Sequence, residues 1–240
     1  SERGQLYRAE PYLHRLLRIL EMAKGGTTAE ALPVLDRLAD LYMNHGRPED
    51  AEPVLQQALA TRQAHLEPNH PEVADTHIAM GRLLEKLERE GDAEAAYTKA
   101  LAERERALGR SHPRVGEALV RLAAVLVRQE RLTEAGPLLQ RALEQLETPH
   151  GPALAETGEA LTLLGEIHRR HGRHADAGPL FRRAIKVLER AEGPYGPLLA
   201  TALEGYAQLF QDMHREGEAE RIAARALEIR ARNEAELPRA

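Results

Sequence analysis

The densest grouping of side chains able to do chemistry is HRRHGRH at residues 168–174. Imidazoles are strong zinc ligands, and His168 and His171 are spaced i,i+3, on one face of a helix. A zinc site needs further donors aimed at the same point. Gly172 turns the chain before His174, and no HExxH arrangement supplies the carboxylate. A structural or surface role is therefore the better reading of His168, His171 and His174, and no metal or other cofactor is called for. Cysteine is absent and serine occurs only at Ser1 and Ser111, so neither a thiol nor a serine on a nucleophile elbow can be assembled. KGGTT at 24–28 has glycines but not the GxxxxGK[ST] order of a phosphate loop. Paired carboxylates such as Glu49-Asp50 fall where they complement a helix dipole. No catalysis is expected.

The 240 residues carry a net charge of −5, with 30% of them charged and both signs present. That balance leaves no global positive field for a polyanion, which argues against nucleic acid as a partner. No apolar run approaches the roughly 20 residues that span a bilayer, and no signal peptide opens the chain. The reading is a soluble, cytoplasmic segment with no membrane partner. The opening SERGQLYRAEP already lies inside a repeat, so the true N-terminus is expected upstream. Lysine occurs only at Lys24, Lys86, Lys99 and Lys186, an arginine bias that suggests a GC-rich bacterial genome.

What must position any functional side chain is a repeat. Steps of 42 residues from Ala51 land on Ala93, Ala135, Ala177 and Ala219, and one step back lands on Ala9. Ala58 steps in the same way to Ala100, Ala142, Ala184 and Ala226, and Arg47 to Arg89, Arg131, Arg173 and Arg215. Such periodicity means one quasi-linear array in which each unit packs on its neighbours. Abundant Ala, Leu, Arg and Glu make the fold all-α. The expected layout is a single domain: a second helix at 4–24, full repeats at 29–66, 71–108, 113–147, 152–190 and 195–232, and a polar tail at 233–240. Gly25 or Gly26 should stop the first helix, Thr27 or Thr28 cap the next, and Gly46 end that one. Pro71 and Pro113 suit the first turn of a helix, with His70 and His112 at the cap. Later joints, TPHGPAL at 148–154 and AEGPYGPLL at 191–199, keep Gly and Pro without the His-Pro pair. Large–small pairs on first helices (Leu38-Ala39, Met80-Gly81, Leu122-Ala123, Leu164-Gly165, Tyr206-Ala207) face Ala51, Leu55 and Ala58 and their equivalents, a framework of close helix contacts.

This pattern, with the aromatic Tyr42, resembles the tetratricopeptide repeat. The 42-residue period, the second-helix sequences RAEPYL and DAEPVLQQAL and the joint NHPEVA are similar to its longer, kinesin-light-chain type, over residues 4–232. Glu88 and Glu130 depart from the pattern at the Gly46 position, and Ala223 departs at the Leu55 position. The resemblance implies a right-handed superhelical α-solenoid of about 5.5 units and 11 helices. Its first helices would line a groove for a peptide or protein segment: Asp36, Asp40 and Asn44, then Ile78, Arg82 and Lys86, then Val120, Ala124 and Arg128, then Thr162, Glu166 and Arg170, and last Glu204, Gln208 and Asp212. Asp36 and Asp40 stand where the chaperone-binding members need Lys or Asn, and the asparagine rows of kinesin-type grooves are missing, so neither ligand carries over.

The charges of the groove itself give the expectation. Arg82, Lys86, Arg128, Arg169 and Arg170 form a basic middle, flanked by Asp36-Asp40 and Glu204-Asp212, with Ile78, Val120, Ala124 and Val127 as an apolar strip. A ligand with an acidic and apolar centre would fit. The alternatives are self-association through the leading half-repeat, which would expose Leu13, Leu16, Leu17 and Leu20, and a regulatory sensing arm of a larger signalling protein. The last helix is expected to be better protected, with Ile222 and Ile229 remaining open.

Overall fold

The computed structural model describes residues 2–24, 28–67, 69–147 and 154–236. Among them are eleven α-helices and no strand: α1 (Glu2–Lys24), α2 (Leu32–Asn44), α3 (Pro48–His65), α4 (Pro71–Lys86), α5 (Glu90–Leu108), α6 (Pro113–Arg128), α7 (Leu132–Leu146), α8 (Leu154–Arg170), α9 (His174–Glu192), α10 (Pro197–Asp212) and α11 (Glu216–Glu236). A short 3-10 turn, Ala29–Ala31, precedes α2. Two compact units result, Ser1–Arg110 holding α1–α5 and Ser111–Ala240 holding α6–α11.

Within each unit the helices pair in sequence order, α2 with α3 and α4 with α5, then α6 with α7, α8 with α9 and α10 with α11. The recurring alanines make the seams. Ala51, Ala58, Ala93, Ala100, Ala135, Ala142, Ala177 and Ala184 are all fully buried, and each lets a facing helix approach closely. Glycine carries this further. A Cβ on Gly81 would lie 2.5 Å from the Tyr97 ring, and one on Gly165 would lie 3.1 Å from Phe181. In each case the second helix fills, with a ring, the space that the first helix leaves empty.

Every first helix ends in the same way. Residues 46, 88, 130, 172 and 214 all have positive φ, between 56° and 71°. The next residue is always arginine, and its N–H reaches back to the carbonyl of residue 42, 84, 126, 168 or 210 at 2.9–3.1 Å. This six-residue closure satisfies carbonyls that a helix end leaves open. Glycine takes the left-handed position twice. Glu88, Glu130 and His214 take it three times, so the departures from Gly46 change the residue and leave the turn intact. At the other end, His70 Nδ1 accepts the Glu72 N–H (3.3 Å) and His112 Nδ1 the Arg114 N–H (3.1 Å), each ahead of a proline at the first helical position.

Some expectations change. α11 continues to Glu236, beyond the tail expected from residue 233. Thr28 stands at the cap position with extended backbone but makes no capping bond, and its hydroxyl is buried without a partner. Gly25, Gly26, Thr27 and residues 148–153 of the TPHGPAL joint lie outside the described residues. In α1 the open face is only in part the one expected, at Leu16. Leu17 is buried and Leu13 and Leu20 are half-buried, whereas Tyr12, Leu16, Ile19 and Met22 are exposed. The cause is docking on α2 and α3: His14 meets the Tyr42 hydroxyl at 2.8 Å, Arg47 donates to Glu10 at 2.8 Å, and Gln57 donates to Glu21 at 2.8 Å. That docking turns the side of α1 bearing Leu17 inward. In α11, Ile229 is buried and Ile222 half-buried, and Leu227 is the exposed apolar residue.

Candidate peptide-binding cleft

Helical spacing places Asp36, Asp40 and Asn44 on one face of α2 at i, i+4 and i+8. The 42-residue repeat puts Ile78, Arg82 and Lys86 in the same register on α4. In the first unit these faces border a cleft of about 580 Å³. Asp36, Asp40, Asn44, Arg82 and Lys86 line it, together with the apolar groups of Leu32, Pro33, Ala39, Met43, Leu55 and Ala79. Ile78 does not line it. Its near neighbours Thr76 and Ala79 do.

The charges in this cleft are of two kinds. Arg62 of α3, only 7% exposed, donates to both Asp36 oxygens at 2.9 and 2.6 Å and to Glu72 at 3.4 Å. Burial alone would lower its pKa, but the two carboxylates outweigh burial and the net shift is upward. The guanidinium is thus a fixed tie between α2, α3 and α4, in a bidentate geometry that suits arginine alone. Asp75 is similarly held by Arg104 at 3.0 Å. Asp40, Arg82 and Lys86 form no ion pair with any described residue and are exposed. After internal neutralisation, then, the cleft offers one anion from α2 and two cations from α4.

In the second unit the expected row fares differently. Val120 is fully buried, and Ala124 and Thr162 are 8% exposed, because α6 packs on α8 and α8 on α10. Val127 is buried as well, and the Thr162 hydroxyl is spent on the Gly158 carbonyl. These residues pack as core in this unit and not as an open row. Nor is the basic middle a free one. Arg169 bridges Glu166 (2.7 and 2.8 Å) and Asp212 (2.6 Å), and Arg170 joins Glu166 (2.5 Å) to Glu130 (2.7 Å). Burial would raise the Glu166 pKa, but its two arginines hold it below the usual carboxylate range. Glu204 accepts from Arg230 at 2.9 Å. Arg128 and Gln208 are exposed, Arg128 with interactions of its own.

The histidine run forms no metal centre among the described residues. His168 takes the slot of Tyr42, 18% exposed, with Nδ1 3.5 Å from Asp176. His171 Nδ1 lies 2.7 Å from the Ile167 carbonyl, and His174 begins α9.

The tetratricopeptide-repeat pattern matches residues 30–106, 73–148, 114–190 and 156–232, in overlapping pairs of repeats. The chain belongs to the tetratricopeptide-repeat family. No curated protein matches the sequence at a significant level. The solved structures of similar fold include BtubC (BKLC) from P. vanneervenii, with TM-score 0.71 and 20% identity over 99% of this chain and 92% of that one. A putative kinesin light chain from Podosopora anserina, with nearly identical TPR-like repeats, gives 0.60 and 19% over 84% and 96%. YrrB, a TPR protein with an unusual peptide-binding site, gives 0.51 and 20% over 88% and 90%. At these identities the likeness is one of fold. It establishes this tetratricopeptide-repeat chain as an α-solenoid of helix pairs, an architecture that serves as a scaffold for protein–protein interaction. No described helix is long and apolar enough to cross a membrane.

Proposed function

We propose that the chain binds a peptide or protein segment in the cleft between α2 and α4, and that the segment carries an acidic residue beside an apolar one. The observation that carries this reading is the pairing pattern. Arg62 silences Asp36 and Glu72, and Arg82 and Lys86 stay uncompensated beside the apolar surface of Leu32, Ala39, Met43 and Ala79. A carboxylate near Arg82 and Lys86 gains charge-assisted hydrogen bonds, while its apolar neighbour buries against α2. Asp40 favours a basic residue elsewhere in the same segment. YrrB supports the idea that such a solenoid can hold a peptide. Affinity in the micromolar range is expected for so open a site. The test is calorimetric titration with blocked peptides that alternate Leu and Glu, against the same peptides with Lys for Glu. Preference for the acidic series, lost in the Arg82→Glu/Lys86→Glu variant, supports the reading. Equal binding of both series sinks it.

Self-association is a second reading, favoured by the α1 stripe of Tyr12, Leu16, Ile19 and Met22, which are 72%, 44%, 53% and 85% exposed. Light scattering across a concentration series tests it. A monomer throughout, or an oligomer that persists in Leu16→Glu/Ile19→Glu, rejects α1 as the contact.

A further inference from the structure

The last hairpin of the second unit holds a pocket unrelated to the row of groove residues. A cavity of about 340 Å³ lies among α9, α10 and α11. Leu203, Tyr206 and Phe210 of α10 line it, with Ile185 of α9 and Ile222 of α11. At about 100° per residue, these α10 positions point away from Glu204, Gln208 and Asp212. The pocket also breaks the rule of its own repeat. Residues equivalent to Tyr206, namely Leu38, Met80, Leu122 and Leu164, are all buried; at the position of Phe210, Tyr42, Leu84 and Leu126 are buried and His168 is half-buried. Tyr206 and Phe210 are only half-buried. Their rings continue a run from Phe181, with centroids 6.0 and 4.8 Å apart, Tyr206 and Phe210 tilted by 51°. Arg215 sits over one face of Phe210 at 4.7 Å, and the rest of this angled aromatic surface is left partly uncovered.

Glu218, Arg221 and Arg225 complete the lining. Arg225 is answered by Glu189 at 2.6 Å, and Glu218 by Arg215. Arg221 donates its hydrogen bond to a backbone carbonyl, that of Gly217, at 3.2 Å, and acts on the Glu218 carboxylate, already paired with Arg215, only through space. Arg182, one helical turn before Ile185, has no ion pair with a described residue and is exposed. The uncompensated charge around the aromatic surface is therefore positive. We propose that this pocket docks a peptide segment in which a large apolar side chain stands next to Asp or Glu, the ring or branched chain lying on Tyr206 and Phe210 and the carboxylate meeting Arg221. Charge complementarity excludes a basic segment, and the small volume admits one side chain instead of a whole helix.

The experiment is an amide NMR titration of the full chain with the blocked tetrapeptide Glu-Phe-Leu-Glu and with Lys-Phe-Leu-Lys. The acidic peptide should shift amides in α10 and α11, and the basic one should not. Arg221→Glu, a change at an exposed side chain, should weaken the acidic peptide by roughly tenfold to a hundredfold, the loss of one charge-assisted hydrogen bond. Arg82→Glu/Lys86→Glu should leave the α10 and α11 shifts unchanged, which separates this site from the cleft of the first unit. Shifts confined to α2 and α4, no shift with either peptide, or equal response to both would each overturn the proposal. So would unaltered binding in Arg221→Glu.

Discussion

Glycine at a helix seam can be told from glycine on an open face by exchanging each for alanine. Gly205 in α10 and Gly136 in α7 both sit inside helices of the second unit. Alanine inside a helix gains about 0.5–1 kcal/mol of propensity over glycine. Around Gly136 an added Cβ meets nothing within 4 Å, so Gly136→Ala should stabilise, by at most that amount. At Gly205 the same atom would stand 2.7 and 3.0 Å from Cε1 and Cζ of Phe181, well inside the roughly 3.5–4.0 Å of a relaxed carbon contact. Phe181 is fully buried, and the same ring atoms, Cε1 and Cζ, already lie 3.1 Å from the position a Cβ would take at Gly165. The ring has nowhere to retreat. Overpacking of this kind costs about 1–3 kcal/mol. Gly136 precedes Pro137, whose ring crowds a Cβ on the residue before it, so the gain there is the smaller one and the difference between the variants is a lower bound on the overpacking. Urea unfolding followed by far-ultraviolet circular dichroism should move the midpoint up for Gly136→Ala and below it, by an interval worth up to about 3 kcal/mol, for Gly205→Ala. A Gly205→Ala protein as stable as Gly136→Ala would mean that Phe181 repacks freely, and the account of these seams as close-fitting would be wrong.

Other outcomes follow from the helix ends and buried polar groups. Glu88 occupies a left-handed position at φ 57°, so Glu88→Gly should stabilise the first unit by about 0.5–1 kcal/mol, the strain relieved less the entropy that glycine loses; a lower unfolding midpoint would count against this. Tyr42 is buried and its hydroxyl donates to Glu10 at 2.9 Å. Burial first, and then the Glu10 carboxylate, push its pKa from 10.0 up to about 12. The folded state thus favours the neutral phenol, a contribution whole below pH 10 and lost as pH rises toward 12. Tyr42→Phe should flatten the alkaline fall in stability across that window, and an unchanged profile would exclude the contribution. Glu166 is shifted the other way, held below 4.5 by Arg169 and Arg170 against the effect of burial. Its contribution is present above pH 4.5 and lost as pH falls below it, so Glu166→Gln should show a shallower acid loss of stability than the parent.

The repeat length and the alanine positions made the helices readable because they record a constraint that recurs: two axes must approach at the same height in every hairpin. Left-handed helix ends were half legible. Gly46 announces one, while Glu88, Glu130 and His214 hide the same geometry behind residues that pay a strain, and only the 42-residue step and the following arginine reveal it. Burial of Val120 and Thr162 was not legible. Both belong to a register that is half-buried at Asp36 and Ile78 and exposed at Glu204, and what closes over them is the packing of α6 on α8 and α8 on α10, a contact between elements whose sequences show nothing of their mutual distance.

Charge was the least readable property, and position 62 shows why. This slot holds Arg62 and Arg104 in the first unit, and Leu146, Leu188 and Arg230 in the second. An arginine there neutralises a carboxylate from a first helix, as at Asp36, Asp75 and Glu204, whereas Leu146 and Leu188 fill the same volume as apolar core. Counting charges along one helix face therefore overstates what a ligand would meet, since the cancelling group comes from another helix 26–29 residues away. Subtracting these internal pairs turns a groove of mixed charge into a cleft whose open cations are Arg82 and Lys86. The choice between Arg and Leu at a buried second-helix position, more than the surface row itself, decides which charges remain for a partner.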